Sequence, residues 1–467
     1  MYHFSVRLSE KPRNTKRITM LLPAFIRYVS LFLLLFSTAL SFGQQRPFVT
    51  IWEVGEGQSI TIPTEGEGYD YELYWESVED EEINNILTDL TGDVSITFDE
   101  PGTYRVAISG DFPRIYFQKV ARSIKSRLKN IEQWGDIKWE SMESAFDNCR
   151  NMTMTATDTP DLDRVSNMAS MFHEVRSFNG DIGDWDVSNV TNMSSMFRMG
   201  VYANAAFNQD LEGWDVSNVT DMSYMFYSAR SFNGDISDWD VHNVTNMSYM
   251  FAHAELFNGD ISDWEVGNVK NMSHMFAFGG SFNSDISGWD VSNVTDMSWM
   301  FVVESAFLNT FNQDIGSWEV SSVTDMESMF YNCSNFNQDL GDWDVSKVED
   351  MSRMLSYSGL STTNYDQTLQ GWVGLEDLQE DVTLGALGLT YCNAEEARQQ
   401  LIDDYGWSFD GDSKVEDCIL TTTEASREIT LQLYPNLIIP LKVYHLFCFK
   451  VYHFLFHRLG GKLTIYS

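Results

Sequence analysis

The chain has 467 residues, 43% of them hydrophobic and 14% aromatic, which is enough for a sizeable core and two or three domains. Thirty Lys and Arg stand against 68 Asp and Glu, a net charge of −38. That balance argues against nucleic acid and anionic membrane surfaces as partners, since both need basic patches.

Lys16 and Arg17 precede an apolar stretch from Met20 to Phe42, interrupted only by Arg27. Ser41-Phe42-Gly43 offers small residues at the positions a signal peptidase reads, so residues 1–43 read as a signal peptide cleaved before Gln44. A retained anchor is the alternative, but the apolar run is short for a span. The expected location is therefore secreted or cell surface, with no membrane span after signal cleavage. The five cysteines (Cys149, Cys333, Cys392, Cys418 and Cys448) match no zinc template. In an oxidising compartment, Cys392 and Cys418 are a candidate disulfide, because they bracket one short segment.

Residues 44–117 read as a small β domain. Ser59–Ile62 and Val94–Phe98 alternate at strand period, and the turn Pro101-Gly102 leads into a strand at Thr103–Ile108. The wording Asp-Glu-Pro-Gly-Thr-Tyr-Arg-Val resembles the last hairpin of PKD-type immunoglobulin-like sandwiches. Residues 118–161 read as an N-terminal cap and degenerate first repeat, since an end unit has no neighbour to cover it.

Residues 162–355 repeat one phrase, Phe-Asn-x-Asp-Ile-x-x-Trp-Asp-Val-Ser-Asn-Val-Thr-x-Met-Ser-x-Met-Phe. Its tryptophans fall at Trp185, Trp214, Trp239, Trp264, Trp289, Trp318 and Trp343, mostly 25 residues apart and twice 29. A period of that size means stacked units, each packing only on its neighbours. Apolar residues three apart, as in Val187, Val190, Met193, Met196 and Phe197, fit short extended pieces closed by one helical turn. The two four-residue insertions follow the Met-Phe turn. Insertions at one phase map to one edge, so Met199, Val201, Tyr202, Val302, Val303 and Leu308 are binding-edge candidates; drift within a loop is the alternative.

Residues 356–420 read as a C-terminal cap, with a helix beginning near Asn393, a good cap residue. Residues 421–467 form a linker and an atypical tail, in which acidic residues vanish after Glu428. Leu431-Gln-Leu-Tyr-Pro-Asn436 resembles the opening of the secretion-sorting domain of Bacteroidetes type IX cargo. The remainder does not match, which points to a frameshift or to an unusual genuine terminus.

The Trp-Asp-Val-Ser-Asn-Val-Thr-x-Met-Ser-x-Met-Phe units resemble the BspA-like bacterial surface proteins with their 26-residue repeat. That resemblance spans about residues 110 to 420. It implies a leucine-rich-repeat-like solenoid with short parallel β-strands and single helical turns, here preceded by a small β-sandwich-like domain. It also implies adhesion or partner binding on an exported protein, a protein or glycan ligand of unstated identity, and no catalytic residues.

Two acidic columns run through the array. One is Asp181, Asp210, Asp235, Asp260, Asp285, Asp314 and Asp339; the other starts at Asp186 and ends at Asp344. Carboxylates stacked 5 Å apart repel by about 0.8 kcal/mol per pair even in water. Turn capping by Asp side chains is one compensation, and Ca²⁺ held by the first column is the other. The tryptophan column is either a buried wall or, if exposed, a surface for stacking sugars. His173, His242, His253 and His274 share no ligand spacing, and no hydrolase, zinc-protease or phosphate-loop motif occurs. The expected function is interaction, not enzymatic, with no cofactor other than that possible calcium. A calcium-stabilised envelope component is the alternative. A glycan-processing enzyme would need paired carboxylates in a cleft, whereas these acids repeat with the array.

Overall fold

In a computed structural model, which describes residues 45–304, 310–416, 418, 428–433 and 437–442, the N-terminal segment forms strands β1 (Phe48–Val54), β2 (Ser59–Ile62), β3 (Asp70–Ser77), β4 (Asn84–Leu90), β5 (Val94–Thr97) and β6 (Gly102–Asp111). The alternation expected at Ser59–Ile62 buries Ile60 and Ile62 and leaves Ser59 and Thr61 at the surface. There Ser59 and Thr61 hydrogen-bond across the β2–β5 pair to Thr97 and Ser95. β4, β3, β6 and β1 belong to one sheet, and β1 also pairs antiparallel with β7 (Leu128–Gln133). β7 pairs parallel with β8 (Thr153–Met154), so the sheet runs on into the first repeat. The core is equally continuous, since Phe48 stacks on Trp134 at 5.5 Å and Trp134 meets Trp185 edge-on at 5.3 Å. The division expected after residue 117 is thus crossed by both backbone pairing and packing.

The repeats stack in single file, but not through strands. Each contributes one parallel bridge residue, in the series Asn167, Asn192, Asp221, Asn246, Asn271, Asp296, Asp325 and Asp350. Beyond the bridge, alternate N–H groups donate to the next repeat. Met222, Tyr224, Phe226 and Ser228 bond the carbonyls of Asn246, Ser248, Met250 and Ala252 at 2.8–3.0 Å. Residues between them close tight turns, as Met225 N–H does on the Met222 carbonyl. The expected helical turn is instead a run of overlapping turns. Its cause is a left-handed residue at the variable position of Met-Ser-x-Met-Phe, for example Ser195, Tyr224 and Tyr249 at φ 58–59°. A second follows four residues on, as at Ser228 and His253. Such a residue costs roughly 1–2 kcal/mol when it is not glycine, offset here by the inter-repeat hydrogen bonds, each contributing about 1 kcal/mol.

Inside the stack the apolar residues form ladders. Successive Phe rings at the end of the turn lie 5.5–5.8 Å apart from Phe172 to Phe330. A second Phe ladder and a Trp ladder run beside it; within the latter, Trp239 and Trp264 are 6.1 Å apart. From Trp214 to Trp343 each Trp indole N–H donates to a carbonyl of the preceding repeat, such as Trp264 to Ile236 at 3.1 Å. The insertions leave this register intact: Phe197–Phe207 is 4.1 Å, against 3.9 Å for the insertion-free pair Phe226–Phe232.

The pattern also outlasts its sequence signature. Trp372, in helix α1 (Thr362–Trp372), donates to Leu340 as the repeat tryptophans do, and Trp407 to Gln379. β9 (Thr383–Gly385) and β11 (Ser408–Asp410) continue the parallel stacking, as do β10 (Thr390–Tyr391) and β12 (Ser413–Lys414). Helix α2 (Glu395–Tyr405) has Ala394 rather than Asn393 at its N-cap, with no side-chain cap of its own. Asp366 of α1 instead fixes the segment leading into it, accepting from the N–H groups of Cys392, Asn393 and Ala394 at 2.7–3.1 Å. Cys392 and Cys418 are both disulfide-bonded, whereas Cys149 and Cys333 are buried free thiols. Residues 415–467 form a separate unit, whose described part is the antiparallel hairpin β13 (Glu428–Leu433) and β14 (Leu437–Lys442). The expected signal peptide and most of the atypical tail lie outside the described residues.

Beneath the first repeats sits a buried ionic cluster. Asp147 lies 2.7 Å from Lys125 Nζ and 2.6 Å from His173 Nδ1. Burial opposes its ionisation, but the hydrogen bonds from His173 and Lys125 outweigh this and hold its carboxyl below the ordinary range. A folded value below the unfolded one stabilises above about pH 4 and is lost as pH falls through the folded value. Asp147→Asn should therefore flatten the acid limb of stability below about pH 4. Urea midpoints from pH 2 to pH 6 would test this; parallel curves for the two proteins would refute it.

Candidate functional site

Columns of equivalent positions run along the array, and most are explained by the fold. In the first acidic column, Asp181, Asp235, Asp260, Asp285, Asp314 and Asp339 each accept the backbone N–H two residues on, at 2.9–3.3 Å. Asp210 accepts the N–H of Asp235 from the next repeat. Hydrogen bonds from Ser237 and Ser287 pull the carboxyls of Asp235 and Asp285 below their usual range. The second column turns the chain likewise, as Asp186 does with Ser188. Among the described residues, no group of three or more His, Cys, Asp or Glu is placed to hold a metal ion. The Asn that directly follows the second Phe of each repeat links neighbouring repeats at the surface, with Asn233 Oδ1 accepting from Asn258 N–H at 2.8 Å.

The tryptophan column is buried, 0–3% exposed from Trp185 to Trp343, so it offers no ring to a ligand. The insertion candidates divide. Met199 is buried against Ala203 and Ala205. Val302 and Val303 are also buried, Val302 in one cluster with Ala277. These three are corrections to the binding-edge reading: they hold regular positions of the repeated turn, Val302 level with Ala252 and Ala277, and the N–H groups of Met199 and Val303 donate to Tyr227 and Tyr331 as Ser228 does to Ala252, so the stack itself buries them. Val201 is half-buried, Tyr202 is 92% exposed, and Leu308 lies outside the described residues.

A different column is unexplained by the fold. At the variable position of Met-Ser-x-Met-Phe, the array carries Ser144, Ser170 and Ser195, then Tyr224, Tyr249, His274 and Trp299, then Ser328 and Arg353. The four central rings are half-buried on the outside of the turn and stack at 4.4, 4.1 and 5.5 Å with planes within 13°. All four sit at φ 58–60°, where a bulky side chain is least at home. Ser170, Ser195 and Arg353 share that φ, so the turn belongs to the fold and only the choice of rings is left to explain. The row is closed at both ends by guanidinium groups: Arg198 lies 4.8 Å from the Tyr224 ring centre, and Arg353 lies 5.1 Å from that of Trp299.

Three residues further on, Ala252, Ala277 and Val302 make a buried floor, a small cluster separate from the main core. Tyr227 and Tyr331 pack at its ends, and His253, stacked 4.5 Å from Phe278, lies along its other side. The equivalent positions in earlier repeats are polar: Asp147, His173 and Arg198. The result is a row of half-buried rings over a sealed apolar cluster, confined to the central repeats. Burial pulls the His274 imidazole down to about 4 against the opposing pull of Asp296 and Glu327, so it is neutral at physiological pH. Nothing in the array's inner packing calls for these rings. The signal was present in the sequence, as a switch from Ser to Tyr, Tyr, His and Trp at one variable position.

Neither the comparison with curated proteins nor that with solved structures gives a match. Among the described residues, no helix is long and apolar enough to cross a membrane. The model of the repeat family DUF285, described as Mycoplasma protein of unknown function, matches residues 116–204, 140–255, 198–310 and 303–380. These overlapping stretches cover more than half of the 467 residues, and the protein belongs to that family.

Proposed function

We propose that this protein is an exported, cell-surface interaction protein of the BspA-like kind, a leucine-rich-repeat-like solenoid that binds a macromolecular partner rather than catalysing a reaction. The observation that carries this reading is the outward row of four stacked rings, Tyr224, Tyr249, His274 and Trp299. Half-buried rings at four consecutive repeats lie outside the main core, at a position where Ser serves in other repeats. Contiguous apolar surface of this kind marks interaction sites on soluble proteins. Regular stacking supplies the rigid platform, and the side chains at one variable position supply the specificity.

The array itself provides safe substitutions, because Ser already fills the same position at Ser170, Ser195 and Ser328. The triple variant Tyr249→Ser/His274→Ser/Trp299→Ser should keep its far-ultraviolet circular dichroism. On an array of glycans and extracellular proteins it should lose at least tenfold in affinity for whatever the unaltered chain binds. Undiminished binding by the triple variant would remove this surface from consideration.

A further inference from the structure

A second surface lies toward the N-terminal end of the array and does not rest on the aromatic row. The chain carries a net charge of −38, yet between Asp111 and Glu132 it has six Lys or Arg and no Asp or Glu. That stretch meets the first repeats, where Lys125 pairs with Asp147 at 2.7 Å and Asn151 Nδ2 donates to the Ser126 carbonyl at 3.4 Å. Positive charge then continues along one edge of the array. Arg150, Arg176 and Arg230 each stand two residues before a buried side chain of one row, Met152, Phe178 and Phe232. Glu255 takes the same place before Phe257 and ends the run.

Carboxylates are too few along this edge. Buried Glu174 is shared by Arg150 at 2.7 Å and Arg176 at 3.2 Å, and Arg230 pairs with Glu255 at 3.2 Å. Asp147 is already matched by Lys125 and His173. Neither Arg122 nor Arg198 takes part in a salt bridge among the described residues. The first insertion rises from this edge, in the repeat between those of Arg176 and Arg230. Met199, Ala203 and Ala205 anchor it in a small buried cluster, and Ala203 N–H closes a turn on the Gly200 carbonyl at 2.8 Å. One end of the loop rests on Glu174, whose Oε1 would lie 2.6 Å from a Cβ at Gly200. The other end is tied down by Ala206 N–H, which donates to the Arg176 carbonyl at 3.0 Å. With its base fixed in this way, the loop holds Tyr202 out into solvent beside the arginines.

We infer that this edge docks a short acidic segment of a partner protein, whose carboxylates meet Arg150, Arg176 and Arg230 and whose apolar side chains pack on Tyr202. Guanidinium groups grip carboxylates through paired N–H donors, and Tyr and Arg are enriched where interfaces concentrate their energy. Ring spacings of 5.9, 5.9 and 6.0 Å between successive repeats make the edge about 18 Å long, room for about five extended residues at about 3.3 Å each. That length suits a peptide better than a long polyanion, which would run on to Glu255. At physiological salt, exposed charges more than about 8 Å away are largely screened, so the local positive edge outweighs the acidic whole.

The test titrates the full chain, at physiological salt, with the labelled octapeptides (Glu-Leu)4 and (Lys-Leu)4 and with tetragalacturonate. (Glu-Leu)4 should bind at least tenfold tighter than (Lys-Leu)4, and its affinity should fall as salt is raised further. Arg176→Gln/Arg230→Gln is a fold-safe probe, because Glu174 keeps Arg150 and Glu255 is open to water. That variant should lose about tenfold in affinity. Tyr202→Ser changes a side chain that is 92% exposed, so it should melt as the unaltered chain does and lose about fivefold. The Tyr249→Ser/His274→Ser/Trp299→Ser variant should bind (Glu-Leu)4 unchanged, so this site and the aromatic row fail separately. No binding of (Glu-Leu)4, equal binding of (Lys-Leu)4, or full affinity in Arg176→Gln/Arg230→Gln or in Tyr202→Ser would each overturn the assignment. So would binding of tetragalacturonate in place of the peptide, or loss of the peptide by the triple serine variant.

Discussion

Phe276→Ala should cost about 3–5 kcal/mol and split the melting transition in two. Phe276 lies 5.8 Å from Phe251 and 5.7 Å from Phe301 along its ladder, and 3.8 Å from Phe282 within its own repeat. It is 3% exposed, so the truncated side chain leaves a void with no partner atoms. In a single-file stack each repeat couples only to its neighbours, so a weak central unit uncouples the two halves. Calorimetry distinguishes this from a uniform loss: one sharp transition, merely displaced, would contradict nearest-neighbour coupling. Phe276→Leu, which keeps most of the buried volume, should lose markedly less and melt as one unit.

Asp366→Ala should be nearly as damaging, for a polar reason. The Asp366 carboxylate is 3% exposed and accepts three backbone N–H groups, from Cys392, Asn393 and Ala394. Removing it strands donors that would otherwise be satisfied, at about 1–3 kcal/mol for each one that water cannot reach. The expected loss is about 3–5 kcal/mol, concentrated in the cap. Hydrogen exchange should show α2 and the β9–β11 pair opening first, while repeats around Trp239 stay protected. A destabilisation below about 1 kcal/mol would mean that water or a shifted loop replaces the carboxylate. Asp366→Asn preserves the shape and loses one acceptor, so it should fall between the two.

The period, the inward residues and the strands at Ser59–Ile62 and Val94–Thr97 were legible in the amino-acid sequence alone. They rest on local alternation and on a phrase repeated often enough that its apolar positions could only face one another. The acidic column was legible as a choice between turn capping and calcium, and an Asp two residues before the N–H it accepts is a local geometry that short-range chemistry already favours. The burial of Met199, Val302 and Val303 was not legible, because the repeated phrase does not show that the turn continues two residues beyond Phe197 and Phe301 before the insertion begins.

Nor could the chain's local order show that the parallel contacts are single bridges joined by left-handed turns. Ser195, Tyr224 and His274 have nothing in common as residue types. Their shared φ is imposed by hydrogen bonds from one repeat to the next. Residues about 25 apart in sequence became neighbours only when the repeats stacked, and that step also assembled Tyr224, Tyr249, His274 and Trp299 into one row between two arginines. Period and core belong to the sequence because hydrophobic patterning is local. The aromatic row belongs to the tertiary structure, because a surface made of one residue from each of several repeats exists only once those repeats are in register.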